Sequence, residues 1–382
     1  MSEALINLRD QIDNLDQQIQ LLLNQRAACA QQVADAKLAD SEEGEDVLFY
    51  RPEREASVLR KVMARNNGPI SNEEMARLFR EIMSACLALE LPMKIAFLGP
   101  EGTFTQAAAL KHFGHSVKTI PFSTIDEVFR EVDANACHYG VVPVENSTEG
   151  VISHTLDMLI ESPLKICGEV TLRIHHYLMG KQNSNLEQSK SVIKKIYSHR
   201  QSLAQCREWL DSRRPGIERI SVNSNAEAAM LASTEEGAVA IASNAAAEIY
   251  QLNLLAERIE DKPDNTTRFI ILGKQDVDTG SPALKVDSSG KLLEKSSNKT
   301  SIMVTSANES GALYDLLKPI AENGLSMTRI ESRPSKSGLW QYLFFIDIDG
   351  HSSEPAVANA LVEIRKQSSI LKILGSYPKA VL

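Results

Sequence analysis

The stretch LINLRDQIDNLDQQIQLLLNQRAACAQQVADAK, residues 5–37, sets Leu5, Leu8, Ile12, Leu15, Ile19 and Leu22 at alternating steps of three and four. That spacing keeps side chains on one face of an α-helix. Neither Gly nor Pro occurs in the first 43 residues, so one unbroken helix is predicted to about Ala39, roughly 55 Å long at 1.5 Å per residue. A stripe of that length outruns what a small helical domain covers by itself, and a partner chain is expected over the remainder. A polar break follows at Ser41 to Asp46, then a second helix from about Glu53 to Asn66. A third opens at Ser71 with Glu74 three residues on, a capping box, and closes at Pro92. Residues 1–92 therefore read as an all-α domain.

From Lys94 the texture changes. Short β-rich runs alternate with helical segments, the pattern of an α/β domain: KIAFLG (94–99), VKTIPF (117–122), YGVVPV (139–144), KICGEVTL (165–172), IYSH (196–199), ISV (220–222), AVAIA (238–242) and RFIILG (268–273). Several runs end in a residue able to open the next helix: Thr103 with Gln106, Ser123, Ser147 or Thr148, Ser224 with Glu227, and Ser243. Helix N-termini, which attract anions, are thus expected along one edge of the sheets. The length of this region, 93–275, and an interruption near 181–190 predict two lobes around a cleft. Residues 276–299 are polar and turn-rich and read as a linker. Residues 300–382 follow as strand (SIMVTS), helix (Ser310 to Leu317), strand (LSMTRIES), strand (WQYLFFIDI), helix (Glu354 to Gln367) and strand (ILKILGS). This is βαββαβ, the α+β ferredoxin-like order.

The chain's 382 residues predict two or three domains, and 43% hydrophobic with 24% charged residues is the balance of an ordinary globular protein. A net charge of -9 argues against nucleic acid as a partner. The five cysteines, Cys29, Cys86, Cys137, Cys167 and Cys206, are scattered without paired spacing and read as reduced thiols, with no metal site. No apolar run is long enough to span a membrane, and the N-terminus lacks the pattern of a signal peptide. A cytoplasmic location is expected.

Charges interrupt two of the apolar stripes. Continuing the three-four step from Leu22 lands on Arg26, and Lys37, eleven residues on, returns to within about 20° of that face. Arg9 lies about 100° off it, so it serves the same pocket only from another subunit. In the third helix the stripe Phe79, Ile82, Met83, Cys86 leads by four to Glu90. One reading makes these a snorkelling arginine, a solvated lysine and a frayed helix end. The other is a buried set of cations with one carboxyl, a site for a small dianion with a polar bridging atom.

From Leu8-Arg9 through Asp16, Arg26, Lys37, Arg54-Glu55 and the third helix, this region resembles the all-helical chorismate mutase domain, in which two long helices intertwine in a dimer. The resemblance implies a pericyclic rearrangement of chorismate to prephenate, which needs orientation and charge stabilisation at the breaking ether oxygen but no covalent step. By position, Arg26, Lys37, Arg54 and Glu55 bind substrate, and Arg9 reaches in from the partner chain. Glu90 stands where the family often has a Gln donor, Cys86 where a substrate-binding Ser is frequent, and Arg51 where an Asp is often found. A carboxyl donates only when protonated, so mutase activity is expected to fall as pH rises through an elevated Glu90 pKa.

The second region resembles prephenate dehydratase over nearly its whole length, in five ordered pieces: Gly99-Pro100-Glu101-Gly102-Thr103-Phe104-Thr105, Val142-Pro143-Val144-Glu145-Asn146-Ser147, Tyr197-Ser198-His199, Ser224-Asn225-Ala226-Glu227-Ala228 and Thr267-Arg268-Phe269. The resemblance implies a two-lobed, periplasmic-binding-protein-like fold that binds both carboxylates of prephenate and assists loss of carbon dioxide and hydroxide. Thr267 is the implied catalytic residue, acting by hydrogen bond or relay. Thr105, Glu145, Asn146, Ser147, Thr148, Ser198, His199, Ser224, Asn225, Arg268 and Phe269 are the expected substrate contacts. Arg268 could instead hold an internal partner.

The last region resembles an ACT domain, a regulatory module that binds amino acids. Gly311-Ala312-Leu313 at a helix start and Glu331-Ser332-Arg333-Pro334 at a strand end match the phenylalanine-binding motifs of dehydratases. Together the resemblances imply a cofactor-free, at least dimeric enzyme making phenylpyruvate from chorismate under phenylalanine feedback. Two rivals remain at this stage: a non-catalytic ligand sensor, and a dehydratase with a decayed mutase domain.

Overall fold

The computed structural model describes residues 2–40, 49–181, 193–279, 297–306, 309–334 and 342–381. Residues 41–48, which include the polar break at Ser41 to Asp46, most of the interruption near 181–190, residues 280–296 of the expected linker and the start of the WQYLFFIDI run lie outside the described residues. Of the remaining linker residues, Val277 is buried and Asn298 already belongs to a strand.

The helical region comprises α1 (Glu3–Asp40), α2 (Pro52–Arg65) and α3 (Asn72–Glu90). The Ser71 hydroxyl accepts the Glu74 N–H at 3.1 Å, satisfying a donor that the first turn leaves free. Only Ala34 of α1 is buried, and Leu15, Ile19 and Leu22 are 55%, 54% and 62% exposed.

The α/β region runs β1 (Lys94–Leu98), α4 (Phe104–Phe113), β2 (Lys118–Phe122), α5 (Ile125–Asp133), β3 (Tyr139–Asn146), β4 (Gly150–Val151), α6 (Ser153–Glu161) and β5 (Lys165–Arg173). It continues through β6 (Tyr177–Gly180), β7 (Lys195–His199), α7 (Arg200–Gln205), α8 (Arg207–Arg213), β8 (Glu218–Val222), α9 (Asn225–Thr234), β9 (Ala238–Ala242), α10 (Asn244–Ile249), β10 (Asn253–Ala256) and β11 (Thr266–Gly273). One sheet has the order β2-β1-β3-β11-β5 with β4 on β3, and the other β10-β6-β9-β7-β8. These are the two expected lobes. The chain leaves the first after β5 and returns as β11, which pairs antiparallel with both β3 and β5.

Thr103, Ser224 and Ser243 cap α4, α9 and α10 as expected. Two caps differ. Thr124, rather than Ser123, accepts the Glu127 N–H at 3.2 Å, while the Glu127 carboxylate takes the Ser123 N–H at 2.8 Å. Ser147 and Thr148 open no helix, because the Asn146 side chain claims the Thr148 and Glu149 N–H groups and makes a turn into β4.

The last region is β12 (Asn298–Ser306), α11 (Ala312–Glu322), β13 (Met327–Pro334), β14 (Tyr342–Asp349), α12 (Pro355–Gln367) and β15 (Leu371–Pro378), with sheet order β13-β14-β12-β15. Its helix begins two residues later than expected and runs on through Pro319.

The domains share cores. Met303, Leu343, Phe345, Leu374 and Tyr377 of the last region pack with Val144, Leu156, Leu159 and Ile166 of the first lobe. Tyr50, just before α2, enters the core of Ile95, Phe97, Phe113, Tyr139 and Val141. Its ring lies 5.3 Å from those of Phe113 and Tyr139, and its hydroxyl 3.1 Å from His112 Nε2. Burial pushes the His112 pKa down to about 3, so the ring is neutral there.

Gly375 passes so close to β5 that an added Cβ would overlap the Ile166 carbonyl oxygen. Gly375→Ala is expected to destabilise this junction by about 1–3 kcal/mol, seen as a lower first transition in calorimetry. An unchanged transition would mean that the two backbones part without cost.

Candidate active sites

A cleft of about 780 Å³ opens between the two lobes. The α4 and α9 N-termini, capped by Thr103 and Ser224, open on it, as does Ser123 ahead of α5. Free N–H groups therefore reach the cleft from both lobes, where they suit the carboxylates of a dianion. Thr105, Asn146, His199, Ser224, Asn225, Thr267 and Phe269, all expected from the sequence, line it.

Thr267 is 8% exposed, and its hydroxyl oxygen accepts a hydrogen bond from Asn146 Nδ2 at 2.8 Å. The Asn146 amide has one orientation consistent with its neighbours: its Oδ1 takes two backbone N–H groups at 2.9 and 3.0 Å, which turns Nδ2 toward Thr267 and Asn265. Asn265 Nδ2 in turn donates to Gln205 Oε1 at 2.9 Å, and that oxygen also lies 2.8 Å from His176 Nε2. With its oxygen occupied by Asn146, the Thr267 hydroxyl keeps its own proton to donate. His176 is 1% exposed, its Nδ1 has no hydrogen-bond partner among the described residues, and burial lowers its pKa.

Asn265, Gln205 and His176 were not singled out from the sequence. Asn265 had a signal, since it sits two residues before Thr267 and so shares its side of the strand direction. Gln205 and His176 had none, because only the fold brings α7 and the loop before β6 to this wall.

Five expected contacts do not line the cleft. Across the antiparallel β3/β11 pair, Asn146 stands opposite Thr267 and Glu145 opposite Arg268. Successive side chains on a strand point to opposite faces, so with Asn146 and Thr267 in the cleft, Glu145 and Arg268 face the C-terminal domain. Arg268 Nε lies 2.9 Å from Glu169 Oε2, Nη1 2.6 Å from Asp347 Oδ2, and Nη2 3.0 Å from the Tyr377 hydroxyl. Burial opposes the Arg268 charge, but Tyr377, Asp347 and Glu169 outweigh it and hold its pKa above the usual value. Glu145 Oε2 lies 2.9 Å from Arg329 Nε.

Ser198 is fully buried and donates to the Ile241 carbonyl at 2.8 Å. Ser147 extends the β3/β11 ladder through Thr266, its N–H donating to the Thr266 carbonyl at 2.8 Å and its hydroxyl accepting the Thr266 N–H at 2.9 Å. Thr148 opens onto a side pocket of about 280 Å³ behind Gln205 and Asn265.

In the helical domain, Arg26, Lys37 and Glu90 come within electrostatic reach of one another. Burial lowers the Lys37 pKa, with Arg51 and Arg54 adding to the effect and Glu90 opposing it. Burial raises the Glu90 pKa, partly offset by Lys37 and Arg26. Lys37 Nζ also donates to the Phe49 carbonyl at 3.3 Å. Cys86 is buried one turn before Glu90. Arg9 is exposed and, seventeen residues up the helix, stands roughly 25 Å from Arg26.

Glu55 departs from expectation. Its Oε1 lies 3.1 Å from Arg80 Nε, where α3 meets the dehydratase-like region beside Tyr50, Lys111 and His112, rather than with Lys37 and Glu90. Glu55 thus holds the domain junction together, and α2 turns Arg54 the other way, to an exposed position.

In the C-terminal domain Gly311, with φ +88°, caps α11, and Leu313 is exposed beside Tyr314. Glu331 and Arg333 share a face of β13 with Arg329, and Arg333 Nη2 lies 2.8 Å from Asp157 on α6. Ser332 points the other way and is exposed. Among the described residues no three His, Cys, Asp or Glu side chains are grouped to hold a metal, and no helix is long and apolar enough to cross a membrane.

Comparison with known proteins finds three family models along the chain. The chorismate mutase type II model matches residues 8–91, the prephenate dehydratase model 95–277 and the ACT domain model 300–366. A bifunctional chorismate mutase/prephenate dehydratase from Stutzerimonas stutzeri is 54% identical over 385 residues, covering 100% of both chains. The crystal structure of prephenate dehydratase from Arthrobacter aurescens in complex with L-Phe is 33% identical, with a TM-score of 0.63, over 75% of this chain and 90% of that one. A structure described as GqqA, a novel type of quorum quenching acylases, is 28% identical with a TM-score of 0.65 over 75% of this chain and 98% of that one. The same scaffold is thus reported with other chemistry, so residue roles must come from the site.

Proposed function

The chain belongs to the family of bifunctional chorismate mutase/prephenate dehydratases, and on that footing we propose how its residues carry the two steps and their control. It is an enzyme with mutase, dehydratase and ACT domains.

In the dehydratase cleft, helix N-termini hold the two carboxylates of prephenate. Thr267 donates its hydroxyl hydrogen bond to the departing hydroxyl group. Electrons of the breaking ring–carboxylate bond aromatise the ring and expel that group, which leaves as water once a proton is supplied. Carbon dioxide and phenylpyruvate complete the balance. The observation that carries this reading is the Thr267 hydroxyl, buried in the cleft with Asn146 holding it as a donor. Incubating the purified chain separately with chorismate and with prephenate tests the whole. Phenylpyruvate from both supports it; from prephenate alone it would mean a silent mutase domain, and from neither a sensor without catalysis.

In the mutase site, Arg26, Lys37 and Arg54 bind the two carboxylates of chorismate, and protonated Glu90 donates to the ether oxygen. The uncovered α1 stripe supports a homodimer in which Arg9 arrives from a second copy. Because burial raises the Glu90 pKa, the acid keeps its proton to a higher pH than an ordinary glutamate and loses it as pH climbs through that raised value. The mutase rate is expected to fall across the same range, and Glu90→Gln, which donates at every pH, to flatten the profile. Superimposable profiles for the two enzymes would remove Glu90 from this role.

Phenylalanine is the effector we assign to the ACT domain, with Gly311, Ala312, Leu313, Glu331, Ser332 and Arg333 as its contacts. The exposed Leu313 and Ser332 support a site completed by a second copy. The cysteines of the described residues are all free, which supports a reducing, cytoplasmic setting.

A further inference from the structure

We propose that Arg329 of the ACT domain is a positioning residue for the dehydratase site, acting through Glu145 on the Asn146–Thr267 pair. The inference rests on the dehydratase reading above. Asn146 fixes the Thr267 hydroxyl, and Glu145 is its neighbour along β3, so a shift of the backbone at Glu145 is carried to the Asn146 amide.

The ladder between β3 and β11 is interrupted there. The β3/β11 register shifts between Arg268 and Phe269, so that Glu145 pairs with Arg268 while Phe269 pairs with Pro143, and the outer neighbour of β3 at this end is the two-residue strand β4. A bulge leaves a strand locally short of ladder hydrogen bonds and freer to bend. A side-chain anchor on the far face therefore has leverage on the catalytic face.

Arg329 supplies that anchor. Its side chain is 11% exposed, and Nε lies 2.9 Å from Glu145 Oε2. The N–H is not aimed along this contact, and Nη2 has no hydrogen-bond partner among the described residues. The contact is an ion pair of a desolvated guanidinium rather than an aligned hydrogen bond. Removing the partner of a desolvated cation leaves its charge uncompensated, which is costly. Asp347 is also within electrostatic reach, but the carboxylate in contact is that of Glu145 on β3, whose side chain is 39% exposed. Next to it, Asp347 of β14 grips Arg268 of β11 at 2.6 Å. Each of the two strands that carry the reacting pair is thus held from beneath by the ACT domain, β3 through Arg329 and β11 through Asp347 and Tyr377.

Arg329 also shares the dehydratase-facing side of β13 with Glu331 and Arg333. A shift of that strand therefore reaches Glu145 without crossing a second layer.

The test is a double-mutant cycle of Arg329→Gln and Glu145→Gln in the full chain, with Arg329→Lys as the conservative variant. Dehydratase kcat is expected to fall roughly 10- to 100-fold in each single variant, the scale of loss when a positioned group moves by up to about 1 Å. The prephenate KM should stay within about twofold, because the carboxylate-binding helix termini are untouched. The double variant should be no worse than either single one, Arg329→Lys should recover part of the rate, and chorismate turnover by the same chains should be unchanged.

Additive losses, an effect confined to KM, or a parallel fall in mutase rate would each overturn the role. An unaltered chain that releases no phenylpyruvate from prephenate would overturn the dehydratase reading itself, and this role with it.

Discussion

Thr267→Ala is expected to lower dehydratase kcat roughly 10²- to 10³-fold, the usual loss for one preorganised donor aimed at developing negative charge. Chorismate turnover by the same chain should not change. The size follows from the surroundings. Thr267 is 8% exposed on the cleft wall, so with substrate filling the cleft little bulk water is left to replace its hydroxyl. Its acceptor side is filled by Asn146, so the donor direction needs no reorganisation when hydroxide begins to leave. Thr267→Ser keeps the hydroxyl and should retain much of the rate. A dehydratase rate for the alanine variant within a few-fold of the unaltered chain, measured as phenylpyruvate release, would take Thr267 out of the chemistry.

The second large effect is expected at Arg26, on the opposite activity. Arg26→Ala should cost on the order of 10²–10³ in mutase kcat/KM while leaving prephenate dehydration intact. A pericyclic step offers the protein little beyond geometry and electrostatics, so removing one cation from the set of Arg26, Lys37 and Arg54 removes a large share of what is available. With Arg26 gone, Glu90 also loses one of the two charges that restrain its pKa. The remaining mutase activity should therefore persist to a higher pH than in the unaltered chain. A parallel loss of both activities would point to a folding defect instead.

Helical arithmetic makes the Arg26–Lys37 pairing legible: the 100° step that places Lys37 beside Arg26 needs no knowledge of neighbours, and the structure brings both within electrostatic reach of Glu90. Single-chain periodicity could not show that Glu55 turns to Arg80, because that choice depends on the neighbouring domain. The strand pieces were equally readable as pieces. What they hide is sidedness. A run such as Val142 to Ser147 reads as one motif, yet the pleat sends Asn146 into the cleft and Glu145 to the ACT domain, and alternation alone cannot say which face is which. His176 and Gln205 were invisible for a further reason, since each reaches the Thr267 network only through tertiary placement. The strands Tyr177–Gly180 and Asn253–Ala256 were passed over because each is four residues long, too short to show a period.

The insertion of Tyr50 among Phe113 and Tyr139 bears on how two catalysts came to share one polypeptide. Its ring is a wall of the neighbour's interior, and Met93 lies buried beside it. The junction is thus a graft rather than a tether: shearing away the helical part would strip an aromatic plug from the lobe that carries β1 and β3. Lineages or engineers separating the two activities must refill that hole as well as cut the chain.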